Sequence, residues 1–379
     1  MASSMLAFAF RHSLLWPRTV ASQSVRRPAY PISPFWNHLP GPSLPQFWQY
    51  RNQHTMGSSR TRRSEPFLVN STIRGDSGRI YKVEEILSER RKPLLCVYRA
   101  SSEGKQFILK DMIKGEFDYQ LSLQTPLAPC PHIRVLVDTI RDDEMFVYGF
   151  LPGDLLHLSQ QALSKQTRRH ILKSALLGLA ELHDRGIIHT DIKPNNILLD
   201  YDTTGPDIRI TQVRISDLED SVLLGPGKSI KGCLCGNELW RSPESWARAK
   251  QNTPSDIYSF AIMAIYVMSN EMVFRVSDEE LKSDMAWWHI LRRHISYFAD
   301  EAGFQGLLGH IGEDNPFFER LIALTGDFNA DKPRQPFALW HGVEPDFRDL
   351  VGKMANLDPN RRITAREALE HPWFKKAVL

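Results

Sequence analysis

The stretch Ile188-His-Thr-Asp-Ile-Lys-Pro-Asn-Asn-Ile-Leu-Leu-Asp200 places a carboxylate, Asp191, two residues before a cation, Lys193, and five before an amide, Asn196. Apolar, strand-like runs flank it on both sides. These groups suit phosphoryl transfer. A carboxylate can orient an attacking hydroxyl and accept its proton, a lysine can neutralise charge on the moving phosphate, and an amide oxygen can hold a magnesium ion. Pro194 stiffens the turn that keeps the three in step. A bare His-x-Asp occurs in many loops, whereas His-x-Asp-x-Lys-Pro-x-Asn between two apolar runs is specific.

The motif resembles the catalytic loop of eukaryotic protein kinases, and Lys193 fits their serine/threonine class. At His-Thr-Asp-Ile-Lys-Pro the resemblance is strongest to the SR-protein kinases. It is not sustained through the later motifs, so splicing factors are not expected as substrates. The resemblance implies an α+β, bilobal protein-kinase-like fold, with a small antiparallel β-sheet lobe and a larger, mainly helical lobe. It also implies ATP and Mg2+ as cofactors and transfer of the γ-phosphate to serine or threonine of a protein substrate. Other family parts follow in order. Lys110 in Phe107-Ile-Leu-Lys110 matches the strand lysine that pairs with the α- and β-phosphates. Met145-Phe-Val-Tyr-Gly-Phe-Leu151 resembles the hinge, with Tyr148 as gatekeeper and Gly149 and Leu151 offering backbone groups to adenine. Asp217-Leu-Glu219 resembles the triplet whose aspartate binds magnesium. The implied catalytic residues are therefore Asp191, Lys193 and Lys110. Asn196 and Asp217 are the implied metal ligands, and these two join Lys110, Gly149 and Leu151 in holding nucleotide. Ser242-Pro-Glu244 resembles the end of the activation segment, and Arg362 is the implied buried partner of Glu244.

Four departures from the family pattern stand out. The turn expected over the phosphates, Ser88-Glu-Arg-Arg-Lys-Pro93, has no glycine. The helix that should offer Lys110 a glutamate has Gln120 at the best-aligned position, with Glu116 one helical turn earlier. Leu218 and Glu219 replace phenylalanine and glycine; the reading of Glu219 is a water-facing carboxylate, with a second cation as the alternative. Thr190 replaces the arginine that grips a phosphorylated activation loop in many kinases, so activity is expected not to require that phosphate. Two readings follow. One is an ATP-dependent serine/threonine protein kinase, and the other is a pseudokinase that binds nucleotide or partners without transfer.

The elements that must position these residues are legible in outline. Arg79–Leu87, Leu94–Ala100 and Gln106–Met112 are β-favouring runs separated by polar turns, which predicts an antiparallel meander. Gln166–Arg185 carries Ile171, Leu172, Ala175, Leu176, Leu179 and Leu182 at helical spacing, predicting a buried helix beneath the catalytic loop. Pro152-Gly153 marks a boundary between lobes at 65–151 and 152–379. The aromatics of 270–345, among them Trp287, Trp288, Phe317 and Trp340, read as core before docking surface.

Residues 1–64 hold eight arginines and no acid, so the remaining chain carries 39 basic against 44 acidic residues and is mildly acidic. That balance gives no nucleic-acid surface, and no apolar run reaches membrane-spanning length. The acid-free segment, with six prolines between Pro28 and Pro45, reads as a disordered tail. Its start has the composition of a mitochondrial transit peptide, while Met56 offers an alternative first residue. The expected compartment is cytoplasm or nucleus, or the mitochondrion if the transit reading holds. The four scattered cysteines indicate free thiols in a reducing compartment. A monomer with no nucleic-acid or membrane partner is the expectation.

Overall fold

A computed structural model describes residues 63–205 and 207–375. The expectations placed on residues 1–64, a disordered tail or transit peptide and an alternative start, lie outside the described residues except at Arg63 and Ser64. Two compact units divide the rest: residues 63–228, 263–271 and 364–375 form one, and 229–262 with 272–363 form the other.

The first unit opens with strands β1 (Thr72–Arg74), β2 (Ile80–Arg91), β3 (Leu94–Ser102) and β4 (Lys105–Asp111). Helix α1 (Phe117–Gln124), β5 (Leu136–Ile140) and β6 (Met145–Gly149) follow. The six strands make one antiparallel sheet in the order β1-β2-β3-β4-β6-β5, the meander expected for the smaller lobe. One boundary differs: β2 runs on through Arg91, leaving Lys92-Pro93 as the whole turn. Its charged end pairs with Leu94–Val97 of β3, so ladder bonds to an apolar neighbour override a polar composition.

Burial alternates strictly along β3 and sends Leu94, Cys96, Tyr98 and Ala100 to one face, where they meet Tyr81, Val83, Phe107, Leu109 and Val147. The other face, with Ile108, Phe146 and Tyr148, is covered by Phe117 of α1. Lys110 shares the parity of Ile108 and lies opposite Phe146 in register, so it emerges on the helix-covered face. The opposite face is sealed by Arg63. Its guanidinium reaches both Asp111 carboxylate oxygens at 2.5 and 2.6 Å and lies 4.1 Å over the Phe67 ring.

The same unit continues with β7 (Gly153–Asp154), α2 (Leu155–Leu158) and α3 (Lys165–Asp184). Ser164 caps α3 by accepting from the Thr167 N–H at 3.0 Å, and the six apolar residues expected to be buried are buried. Gly178 is required on α3, because a Cβ there would lie 2.5 Å from the His132 carbonyl oxygen. Strand β8 (Ile187–Ile188) pairs with β11 (Val222–Leu223), and β9 (Ile197–Asp202) lies between β10 (Arg209–Ile215) and β7. These short pairings fix the ends of the loops 189–196 and 216–221, which carry most of the expected chemistry.

The second unit is helical. It contains α4 (Pro243–Trp246), residues 253–262 of α5 (Thr253–Ser269), α6 (Asp278–Lys282), α7 (Ala286–Phe298), α8 (Glu301–Ile311), α9 (Phe317–Thr325) and α10 (Pro345–Met354). At its centre Arg362 makes the expected pair with Glu244, at 2.6 and 2.8 Å, both side chains without exposure. His294 is stacked between Tyr258 and Phe274. The aromatics of this region pack on one another, Trp287 edge-on to Phe317 and Trp340 to Tyr297, as a core reading requires. All four cysteines are free and buried. The α+β, kinase-like class expected from the sequence therefore stands.

Candidate active site

Every residue in this site belongs to the first unit. The loop after β8 is built around a buried histidine. His189 donates from Nε2 to the Ser216 carbonyl at 2.9 Å and accepts the Asp191 N–H on Nδ1 at 3.3 Å. This imidazole bridges the loop that carries Asp191 to the one that carries Asp217. Thr190 between them takes a left-handed conformation, φ 70°, unusual for a β-branched residue. Its Oγ1 donates to the Asp220 carbonyl at 3.1 Å. Backbone strain of this kind clusters at functional sites.

Asp191, Lys193 and Asn196 are brought together as their spacing predicts. The Lys193 ammonium lies 2.6 Å from Asp191 Oδ2, and Asn196 Nδ2 donates to the Asp191 carbonyl at 2.8 Å and to Oδ2 at 3.2 Å. Burial would lower the Lys193 pKa, but Asp191 and Asp217 raise it above the usual lysine value. With its NH2 committed to Asp191, Asn196 has its amide oxygen as the atom to meet a cation. Its main-chain carbonyl accepts both the N–H (2.8 Å) and the hydroxyl (3.1 Å) of Ser216, the residue before Asp217. The two expected metal ligands are thus tied through one residue.

Asp217 is itself left-handed, φ 65°. Its Oδ1 lies 2.5 Å from the Lys110 ammonium, which also sits 2.9 Å from Glu219 Oε1. The water-facing reading of Glu219 is overturned, since its side chain is 15% exposed and paired with Lys110. The reason is non-local: α1 turns Gln120 toward the triplet, and Gln120 Nε2 donates to the Glu219 carbonyl at 2.8 Å. Burial would lower the Lys110 pKa, but the two carboxylates raise it well above the ordinary value. The Lys110 charge holds Asp217 far below the carboxylate range, while burial pushes Glu219 up to about 7. Lys110 therefore takes its carboxylates from the triplet, and Glu116, for its part, occupies the N-cap position of α1.

Lys110, Asn196, Asp217, Glu219, Tyr148 and Arg134 line a cavity of about 220 Å³. Arg134 was not singled out from the sequence. Its guanidinium lies 4.8 Å over the Tyr148 ring and donates to the Gly149 carbonyl at 2.9 Å. A cation at the entry to β5, where an apolar residue would be unremarkable, was the available signal. Gly149 and Leu151 stand at and just beyond the end of β6, outside the cavity lining.

Asn196 and Asp217 offer one amide and one carboxylate oxygen. Magnesium takes few protein ligands of this hard kind and completes its shell with phosphates and water. Among the described residues no cluster of three or more His, Cys, Asp or Glu forms a protein-only metal cage. The donor set therefore fits a nucleotide-bound magnesium ion.

A family model described as "Protein kinase domain" matches residues 74–374. The liver/testis isoform of the phosphorylase b kinase gamma catalytic chain of Rattus norvegicus is 25% identical over 309 residues, covering 74% of this chain and 62% of that one. Ribosomal protein S6 kinase alpha-2 of Homo sapiens is 23% identical over 284 residues, 73% of this chain and 33% of its own length. The chain thus spans less than two thirds of these relatives. In fold it is similar to a chain of the crystal structure of the yeast RNA Pol II CTD kinase CTDK-1 complex. The TM-score is 0.61 at 16% identity, over 84% of this chain and 97% of that one.

Proposed function

The chain belongs to the protein kinase domain family, and on that premise we propose that it is an ATP-dependent serine/threonine protein kinase. The observation that carries the reading is the hydrogen-bonded cluster of Asp191, Lys193 and Asn196, joined through Ser216 to Asp217. In this reading Asp191 orients the substrate hydroxyl and accepts its proton. Lys193 offsets charge on the transferring phosphate, and Lys110 holds the α- and β-phosphates once these compete for its ammonium. Asn196 and Asp217 hold magnesium, which when bound screens the phosphate charge. The Thr190 hydroxyl, bonded to the Asp220 carbonyl, does the local work of joining the two loops without a cation. Activity accordingly does not depend on activation-loop phosphate, and phosphatase treatment is expected to leave the rate unchanged. A protein substrate and a monomeric enzyme complete the proposal.

The test is transfer of labelled phosphate from MgATP to a serine- and arginine-rich peptide and a generic basic protein, by the full chain and its Asp191→Ala variant. Transfer that the substitution abolishes supports a working kinase. The second reading, a nucleotide- or partner-binding pseudokinase, draws on the glycine-free Lys92-Pro93 turn. It takes over if neither protein transfers phosphate while nucleotide still raises the melting temperature.

A further inference from the structure

Kinases hold the strand lysine with a glutamate from the helix that packs on the sheet. Here α1 turns a neutral amide inward. Gln120 is fully buried, accepts from Gln124 Nε2 at 3.3 Å and donates to the Glu219 carbonyl. Gln124 in turn accepts from the Tyr148 hydroxyl at 3.0 Å. A neutral chain from Tyr148 through both glutamines thus ends on the main chain of Glu219, whose carboxylate meets Lys110. Of the two carboxylates on Lys110, that of Glu219 is 15% exposed and that of Asp217 40%. The more enclosed one is placed to hold the lysine, and the more open one to meet metal and phosphate.

We infer that Glu219 is the positioning residue for Lys110, standing in for a helix carboxylate, and that Gln120 holds Glu219 in place through its backbone. The catalytic consequence rests on the kinase reading above. The two positions form a matched exchange. A glutamate at 120 would set a second negative charge against Glu219 in a confined space, whereas the amide satisfies the carbonyl without repulsion. Lys110 is then oriented from the same turn that carries Asp217, and movements of α1 reach that turn through the Gln120 amide.

Two measurements on the full chain decide this. The first needs no nucleotide: a double-mutant cycle of Lys110→Met and Glu219→Gln, read by denaturant unfolding. A real pair makes the double variant lose clearly less than the two singles added together, and additive losses overturn the inference. The second is steady-state transfer by Glu219→Gly, Gln120→Glu and the combined variant. Each single is expected to lower kcat about tenfold to a hundredfold, the worth of one charge-assisted contact, and the combination to recover most of it. If Glu219 were instead a metal ligand, raised magnesium would rescue Glu219→Gly and Gln120→Glu would not, and the inference falls. A wild type with no transfer but a non-additive cycle leaves the pair standing and removes the kinase reading.

Discussion

Arg362→Met tests whether the second unit depends on its buried ion pair. Arg362 donates to both Glu244 oxygens, and to the carbonyls of Asn356 (2.7 Å), Pro254 (2.9 Å) and Leu357 (3.2 Å), with the guanidinium 4.8 Å over Tyr258. Methionine fills much of the volume but strands a carboxylate at zero exposure. The Ser255 hydroxyl at 2.7 Å is then its main support. Breaking a pair of this kind costs about 3–5 kcal/mol. At roughly 2 °C per kcal/mol for a chain of this size, the melting temperature falls by about 6–10 °C. Combining Arg362→Met with Glu244→Leu removes both charges and should cost less than Arg362→Met alone, because the larger part of the single-variant loss is the stranded charge. Calorimetry at a fixed scan rate reads all three proteins. Acid adds an independent check. Burial pushes the Glu244 pKa up but Arg362 outweighs it, so the folded value lies below the ordinary one. The pair's contribution is full above the unfolded-chain value of about 4.3 and is lost as pH falls through the folded one. The stranded carboxylate of Arg362→Met sheds its charge by taking a proton, so the gap between wild type and Arg362→Met should narrow as pH falls below neutral and close further below about pH 4. A loss under about 1 kcal/mol at neutral pH, or a double variant worse than the single, would refute the reasoning.

Three further outcomes are expected. His294 Nδ1 and the Tyr258 hydroxyl share a hydrogen bond of 2.7 Å, and burial lowers the His294 pKa to about 3. The unfolded chain takes up this proton first, so stability is complete above pH 6.5 and drops by about 2 kcal/mol at pH 5. His294→Gln should abolish that part of the pH dependence in denaturant titrations, and an unchanged slope counts against the assignment. Arg63→Ala removes the guanidinium from the Asp111 carboxylate, which has zero exposure and also accepts the Cys96 N–H at 2.8 Å, and should destabilise the first unit by about 3 kcal/mol in chemical denaturation. A shift within 0.5 kcal/mol, as for an ordinary surface change, contradicts it. Gly178→Ala would gain up to about 1 kcal/mol in a free helix. Against the His132 carbonyl it should instead cost about 1–3 kcal/mol. The sign of the melting shift decides.

What could be read in advance was what short-range chemistry dictates. Asp191, Lys193 and Asn196 lie within six residues, so spacing alone forces them together, and the apolar period of 166–185 leaves α3 few alternatives. Glu244 and Arg362 are 118 residues apart, and only the resemblance to the kinase family pairs them, not local logic. Glu219 was misjudged because a charged residue in a turn is normally wet. Its burial depends on Gln120, 99 residues earlier, and on the strand parity of Lys110. The extension of β2 was hidden for a related reason, since Ser88–Arg91 are polar and only the apolar start of β3 makes them a strand. Arg63 gave no signal at all, because one arginine among several in a basic segment carries no trace of the aspartate it will meet on β4.

The left-handed backbones at Thr190 and Asp217 bear on how this sequence can evolve. Each non-glycine residue held there costs on the order of 1–3 kcal/mol. A library screened only for heat resistance should therefore drift toward glycine or asparagine at 190 and toward glycine at 217, because these relieve the backbone. At 217 that gain deletes a ligand, and at 190 glycine removes the hydroxyl that joins the two loops. The wild-type residues at these two places are best understood as the mark of selection for something other than durability.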